Sequence, residues 1–269
     1  MKKYHFITGL PRSGSTLLSA ILRQNPKIIA GMTSPVGGIT STLRTVMTQQ
    51  KELDVLLDNE ARKRILRGVF DGYYSEYSND KIIIDTNRGW SSRIPELLSL
   101  FDDVKLVAIV RNPAWIFDSV ERITRKTPLR HSGMIKPGSN IDIRAKTMMS
   151  PEGMIGGPLG NLREAIYGPD RHRILLIEYD ALCLDPALTI SSIYKFLDIP
   201  DFSHDFDNVE YEQEDFDEVL RTPGLHSVRG AVRYYERQTI LPPDIFEDLS
   251  QTAFWREDLP NDIARVSHV

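Results

Sequence analysis

Residues 9–16, GLPRSGST, have the composition and spacing of a phosphate-binding loop. Their two glycines allow a tight turn in which successive backbone N–H groups point inward, and a helix that begins here adds partial positive charge. Arg12 supplies a delocalised cation, and three hydroxyl side chains follow it. The predicted phosphate ligands are Gly9, Pro11, Arg12, Ser13, Gly14, Ser15 and Thr16.

The loop departs from the Walker A pattern, G-x-x-x-x-G-K-[ST], at one position, where Ser15 replaces the lysine. In nucleoside triphosphatases that lysine reaches the β- and γ-phosphates, so its absence disfavours triphosphate hydrolysis. Two alternatives remain open: a tight turn without a ligand, and a nucleotide kinase in which Asp85 imitates a Walker B acid.

A second candidate anion site follows the apolar run of residues 105–110, where Arg111, Asn112 and Pro113 stand. Proline suits the first turn of a helix, and Ser119 would lie two turns into that helix. Arg111 and Ser119 could therefore share one anion. The alternative is that Arg111 forms an ion pair at the surface.

Apolar runs that alternate with helical patterns predict the elements that position these residues. Nearly continuous hydrophobic runs indicate strands buried on both faces, so we predict an α/β fold with a parallel sheet flanked by helices. Both anion elements would open at the same sheet edge. The predicted strands are 4–8, 81–85, 105–110 and 173–179, and the predicted helices are 15–24, 60–77, 94–101, 114–125, 186–197 and 243–253. We expect one domain over residues 1–269.

The composition and net charge of the chain exclude several classes of function. The chain has 269 residues, a formal net charge of -4 and a single cysteine, Cys183. It has no global attraction for nucleic acid, no intramolecular disulfide and no cysteine cage for a metal, and no metal-ligand spacing occurs. The first apolar run, from residue 4, is too short for a signal sequence or a membrane span. A soluble cytoplasmic protein is predicted.

Two segments lack clear periodicity. Residues 126–160 are rich in Gly, Pro, Ser and Met, which predicts a long loop, a candidate mobile substrate loop. Residues 201–218 carry nine acidic side chains and no Lys or Arg. They form either a solvated face or a rim that attracts a cationic substrate.

With both anion motifs in view, the chain resembles the sulfotransferases that use 3′-phosphoadenosine 5′-phosphosulfate (PAPS), which have a P-loop-like α/β fold. Residues 9–16 resemble the 5′-phosphosulfate loop in its G-x-P-R-S-G-[ST]-T form, found in tyrosylprotein and many bacterial sulfotransferases. Arg111 and Ser119 resemble the R-D-P-x-x-x-x-x-S element that binds the 3′-phosphate, although Asn112 replaces the aspartate.

Two further segments extend the resemblance. Residues 177–186, IEYDALCLDP, resemble the family's R-Y-E-D-L…D-P segment, which implies that Tyr179 lies near the adenine. Residues 227–230, SVRG, are a weaker match to the loop that closes over the 3′-phosphate, which would make Arg229 and Gly230 cofactor ligands. The resemblance implies PAPS as donor, the bisphosphate PAP as product and no metal.

The implied reaction transfers a sulfuryl group to a hydroxyl or amine of an unidentified small molecule, carbohydrate or peptide. Arg12 would stabilise charge on the sulfuryl oxygens. The glutamate of tyrosylprotein sulfotransferases is absent, because residues 31–34 read GMTS, and Thr86 stands where those enzymes have a lysine, near Arg88. Both departures argue against protein tyrosine as the acceptor.

The substitute bases are Asp85, which ends an apolar strand, and His131, at the start of the long loop. His5 is predicted to be a packed or edge histidine of the first strand. The other histidines, His172, His204, His226 and His268, are predicted to lie at the surface. A P-loop kinase or triphosphatase and a non-catalytic PAP- or PAPS-binding protein remain as alternatives.

Overall fold

The computed structural model describes residues 2–126, 139–219 and 224–267. The strands in these ranges are β1 (Lys3–Gly9), β2 (Ile28–Ala30), β3 (Ile82–Thr86), β4 (Leu106–Val110), β5 (Ile174–Glu178), β6 (Val209–Tyr211), β7 (Val228–Gly230) and β8 (Ala264–Val266). Six parallel strands form the main sheet, in the order β2-β3-β1-β4-β5-β8, and β6 and β7 form a separate antiparallel pair. The predicted class, a parallel sheet flanked by helices, is confirmed.

Helices connect the strands and cover the sheet. They are α1 (Ser15–Leu22), α2 (Val36–Gln49), α3 (Lys51–Leu56), α4 (Asn59–Tyr73), α5 (Ile94–Leu100), α6 (Pro113–Lys126), α7 (Ile141–Met149), α8 (Gly156–Tyr167), α9 (Tyr179–Leu184), α10 (Pro186–Leu197), α11 (Glu214–Val219) and α12 (Pro243–Ser250). Short 3₁₀ helices cover Arg88–Arg93, Arg171–Arg173 and Phe254–Arg256. Within the described ranges, no helix is both long and apolar enough to span a membrane.

Two hydrophobic clusters bury the two faces of the sheet. Along β4 the even-numbered residues join one cluster and the odd-numbered residues join the other, because side chains alternate across a strand. The first cluster includes residues of α4, α5, α6 and α8, and the second includes residues of α1, α9 and α10. Burial on both faces explains why the central strands are almost continuously apolar.

The prediction of one long loop over residues 126–160 is wrong for its second half, which contains α7 and the start of α8. The side chain of Asn140 caps α7 by accepting a hydrogen bond of 2.9 Å from the Ile143 N–H. A Cβ on Gly156 would overlap the Met149 carbonyl, so this glycine permits a close approach between two helices. The first half of the segment, residues 127–138 with His131, lies outside the described residues.

Residues 201–218 form β6 and most of α11. Eight of their nine acidic residues are exposed, as a solvated face requires. Asp217 is the exception, with only 1% of its surface exposed. The sequence of this segment does not distinguish Asp217 from the eight exposed acidic residues.

Candidate functional site

Residues 9–16 form the turn that connects β1 to α1. At two positions of this turn the backbone has a conformation that requires glycine. Gly9 has a φ of 122° and Gly14 a φ of 97°, both in the left-handed region. A Cβ on Gly9 would overlap the Ile109 carbonyl, and a Cβ on Gly14 would lie 2.6 Å from Cδ2 of Tyr179. Arg12 has a φ of 55°. These positive-φ residues curl the backbone into the concave form that suits an anion.

Ser13 takes a different role from the predicted one. Its hydroxyl is fully buried and lies 2.6 Å from the Leu10 carbonyl and 2.9 Å from the Ile109 carbonyl. The side chain therefore ties the loop to itself and to β4, and it does not offer a hydroxyl donor to a ligand. Ser15 and Thr16 do line the cavity in front of the loop.

The cavity in front of the loop, called the main cavity below, has a volume of about 460 Å³ and opens at the carboxyl ends of β1, β3 and β4. Its walls include the loop, Arg88, Arg111, Tyr179 and His226. A smaller cavity of about 120 Å³ adjoins it, because Arg111 and Tyr179 line both spaces. The remaining walls of the smaller cavity are Trp115, Asp180, Tyr234, Tyr235 and Arg237.

The two anion elements predicted from sequence meet in the fold. Arg12 Nε donates to Ser119 Oγ over 3.4 Å, and Arg111 Nη1 donates to the Arg12 carbonyl over 3.5 Å. Ser119 lies on α6, which begins directly after Arg111 and Asn112. The loop after β1 and the helix after β4 therefore meet at Arg12, which is one of the residues that line the space of the main cavity.

The electrostatics of this space favour an anion. Burial, followed by the nearby charge of Arg111, lowers the pKa of Arg12. The Arg111 guanidinium lies 4.3 Å from the centroid of the Tyr179 ring, and its Nε has no hydrogen-bond partner among the described residues. Two neighbouring cations that are partly desolvated gain stability when a negative charge binds between them.

Tyr179 is placed by the start of α9, immediately after β5. Its ring packs against Gly14 on one side and Arg111 on another, which links the phosphate loop to the second anion element. Arg237 lies over Trp115, with its guanidinium carbon 5.4 Å from the centroid of that ring. The smaller cavity therefore has aromatic and cationic walls, with one carboxylate at Asp180, and these suit a flat aromatic ligand.

Asp85 is enclosed, and it does not line the main cavity. Its Oδ2 accepts hydrogen bonds from Ser34 Oγ at 2.5 Å and from Tyr74 Oη at 2.7 Å, and its Oδ1 accepts one from Trp90 Nε1 at 2.8 Å. Burial raises its pKa. With both oxygens occupied, Asp85 joins β3 to its neighbours, which argues against the catalytic role expected from its place at the end of a strand.

Arg229 and Gly230 also lie away from the cavity they were expected to close. They belong to β7, which pairs with β6, and the largely exposed Arg229 side chain forms an ion pair with Glu212. Ser227 and Val228, just before them, do line the main cavity. The weak motif thus lies near the site, but its arginine faces another surface.

Two titratable residues outside the recognised motifs, Arg88 and His226, also line the main cavity. Arg88, at the start of a 3₁₀ helix, is exposed there and has no side-chain partner among the described residues. His226, expected at the surface, is largely buried, and its Nδ1 is hydrogen-bonded to the Asp217 carboxylate. No local pattern signals this pair, because its members meet only through the tertiary fold. His204 is also partly buried, where its Nε2 lies 2.9 Å from Tyr194 Oη.

Comparisons with known proteins agree with this architecture. No protein with a curated description matches the chain significantly. The chain is similar to a sulfotransferase from Alicyclobacillus acidocaldarius, with 16% identity, a TM-score of 0.52 and coverage of 82% of this chain and 90% of that one. It is also similar to the sulfotransferase domain of the Synechococcus PCC 7002 olefin synthase, with 18% identity, a TM-score of 0.50 and coverage of 97% and 96%.

The similarity to these structures shows a shared fold. The sequence supplies the family: a profile of the sulfotransferase family matches residues 5–204, which is most of the chain and includes both anion elements. This protein belongs to the sulfotransferase family.

Proposed function

We propose that this sulfotransferase uses PAPS as its donor and transfers the sulfuryl group to a hydroxyl or amine. The contact between Arg12 and Ser119 carries the proposal, because it joins the two anion elements in one site. PAPS has a phosphosulfate on the 5′ position and a phosphate on the 3′ position of one ribose. A protein that binds it needs two adjacent anion sites.

The residues present fit the two ends of this donor. The concave loop, with Ser15, Thr16 and Arg12, would hold the phosphosulfate at the start of α1. Arg111 and Ser119 would hold the 3′-phosphate, and the unpartnered Nε of Arg111 is suited to that contact. Tyr179 and the smaller cavity would accommodate the adenine.

The chemistry requires alignment and charge stabilisation. During transfer, negative charge spreads over the sulfuryl oxygens and collects on the leaving phosphate, as it does in phosphoryl transfer. Arg12 and the loop N–H groups would stabilise that charge without rearranging. Arg88, which also lines the cavity, would add a third cation.

A kinase or triphosphatase has less support. Ser15 occupies the lysine position of the loop, and the carboxylate that could imitate a Walker B acid, Asp85, is already bound by three protein donors. The site therefore lacks both the lysine that would contact the triphosphate and a free carboxylate that would bind its metal ion.

Ligand-dependent thermal unfolding tests the donor. Adenosine 3′,5′-bisphosphate at about 100 times its Kd is expected to stabilise the folded protein by about 2.7 kcal/mol. Stabilisation by Mg-ATP or Mg-GTP but not by the bisphosphate would overturn the proposal. Transfer from ³⁵S-labelled PAPS to a panel of hydroxyl and amine acceptors then separates an enzyme from a protein that only binds the nucleotide.

A further inference from the structure

His226 and Asp217 form a hydrogen-bonded pair at the wall of the main cavity. The carboxylate of Asp217 accepts from His226 Nδ1 through Oδ1, and it accepts from the His226 backbone N–H through Oδ2 over 2.9 Å. Asp217 is 1% exposed, so this carboxylate is largely shielded from water. The two contacts fix both the position and the rotation of the imidazole.

The pair lies beside Arg12. The carbonyl of Leu225, the residue before His226, accepts a hydrogen bond of 3.0 Å from Arg12 Nη1. Arg12 is the cation that the proposed function assigns to the sulfuryl group. The imidazole is therefore held next to the end of the loop where transfer would occur.

We propose that His226 is the general base that activates the acceptor, and that Asp217 is its positioning residue. This inference rests on the proposed function. With Nδ1–H donating to Asp217, the neutral imidazole carries its lone pair on Nε2. That nitrogen has no hydrogen-bond partner among the described residues, and His226 lines the cavity.

The step balances without any further reagent. The acceptor oxygen forms a bond to sulfur as the bond from sulfur to the bridging phosphate oxygen breaks. The electron pair of the broken bond goes to the leaving phosphate, and the acceptor proton goes to His226 Nε2. The buried Asp217 carboxylate stabilises the imidazolium that forms, which later releases its proton to water.

The charges around the pair favour a neutral hydroxyl as the acceptor. Arg12 contacts the His226 segment at the Leu225 carbonyl, and Arg88, Arg111 and Tyr179 are the other charged or titratable groups that line the cavity. An ammonium group would be repelled by three arginines. A hydroxyl carries no charge, and it needs a base to lose its proton.

The test measures transfer of label from ³⁵S-PAPS, as free sulfate when water is the acceptor and as a labelled sulfate ester when a phenol, a hexose or an aliphatic alcohol is the acceptor. His226→Gln should lower kcat by about 10²–10⁴-fold and abolish the ascending acidic limb of the pH–rate profile. The KM for the donor and the stabilisation by bisphosphate should not change. Imidazole added to His226→Ala should restore part of the lost rate.

Three further variants complete the experiment. Asp217→Asn should lower kcat and Asp217→Glu should recover part of it, and these variants carry the test if the His226 variants do not fold. His172→Gln, at an exposed histidine, should leave every parameter unchanged. A His226→Gln enzyme that keeps its kcat within about threefold and keeps its acidic limb would overturn the base assignment. Absence of bisphosphate binding by the wild type would instead overturn the proposed donor.

Discussion

The backbone of Gly14 lies against the edge of the Tyr179 ring, so closely that a Cβ on Gly14 would lie 2.6 Å from Tyr179 Cδ2. This contact connects the phosphate loop to the aromatic residue that also packs on Arg111. The loop, the ring and the second anion element therefore depend on one another for their positions. A change at Gly14 reaches both cavities, since Tyr179 lines each of them.

Gly14→Ala should weaken both the fold and bisphosphate binding. The new methyl group would meet the Tyr179 ring, and alanine would adopt a φ of 97° that costs about 1–3 kcal/mol. For a domain of this size we expect Tm to fall by about 2–4 °C for each kcal/mol. Calorimetry with and without bisphosphate measures both effects.

Gly38→Ala is the matched control for this change. Gly38 lies in α2, is exposed and has nothing within 4 Å of an added Cβ. Alanine is the better helix former, so stability should be unchanged or slightly higher and binding should not change. Equal destabilisation by the two variants would contradict the role given to the Gly14–Tyr179 contact.

Arg12 and Arg111 should affect different kinetic parameters. Arg12→Ala removes the cation at the sulfuryl end, so kcat should fall by about 10²–10³-fold while the fold persists. Arg111→Ala removes a charged hydrogen bond to the 3′-phosphate, so the donor Kd should rise by about 10–100-fold. Steady-state kinetics and titration with bisphosphate separate the two effects.

Arg229→Ala serves as the control for both arginines. Its side chain is 73% exposed and pairs with Glu212, so we expect donor affinity to change by less than about twofold. An Arg111→Ala enzyme with an unchanged KM for the donor would contradict the proposed place of the 3′-phosphate.

The sheet and both anion elements could be predicted from local patterns. Strands buried on both faces of a parallel sheet appear in the sequence as uninterrupted apolar runs. Glycines after the first strand, and Arg111 and Pro113 after a later one, indicate where the next helix begins. The glycine at position 156 misled the prediction, because a close contact between two helices and an open loop use the same residue type.

The direction of a polar side chain could not be predicted in this way. Ser13 and Ser15 are two residues apart in one loop, yet the first turns into the protein and the second faces the cavity. Asp217 and His226 meet across nine residues of chain, and no periodicity relates them. Such pairs depend on packing between distant segments, which only the three-dimensional structure reveals.

Asp85→Asn should reduce stability more than it reduces transfer. Oδ1 accepts from Trp90 Nε1 and Oδ2 accepts from two hydroxyls, so the asparagine NH₂ would either face the Trp90 N–H or deprive both hydroxyls of their acceptor. A buried donor left without an acceptor costs about 1–3 kcal/mol. Chemical denaturation should show this loss, and Asp102→Asn, at an exposed aspartate, should not. A large fall in kcat at unchanged stability would instead restore Asp85 as a candidate base.

His5 should make the fold sensitive to moderately acidic pH. The residue is fully buried in β1, as its place in the first strand suggested, and neither ring nitrogen has a hydrogen-bond partner among the described residues. Burial, with a smaller effect of Lys3, lowers its pKa from 6.5 to about 3. The unfolded chain therefore binds a proton near pH 6.5, whereas the folded chain does not until near pH 3.

The contribution of this pKa difference to the free energy of unfolding is fully present above pH 6.5. It is lost as the pH falls toward 3, by up to about 1.4 kcal/mol for each pH unit. His5→Leu removes the titrating group, so its free energy of unfolding should decline less steeply than that of the wild type. Urea denaturation at pH 6.5, 6.0, 5.5 and 5.0 measures the slopes above the range where most carboxylates titrate, at about pH 4. His172→Gln should keep the wild-type slope, because His172 is exposed. Parallel slopes for the wild type and His5→Leu would show that His5 is protonated in the folded state, and that water reaches its ring.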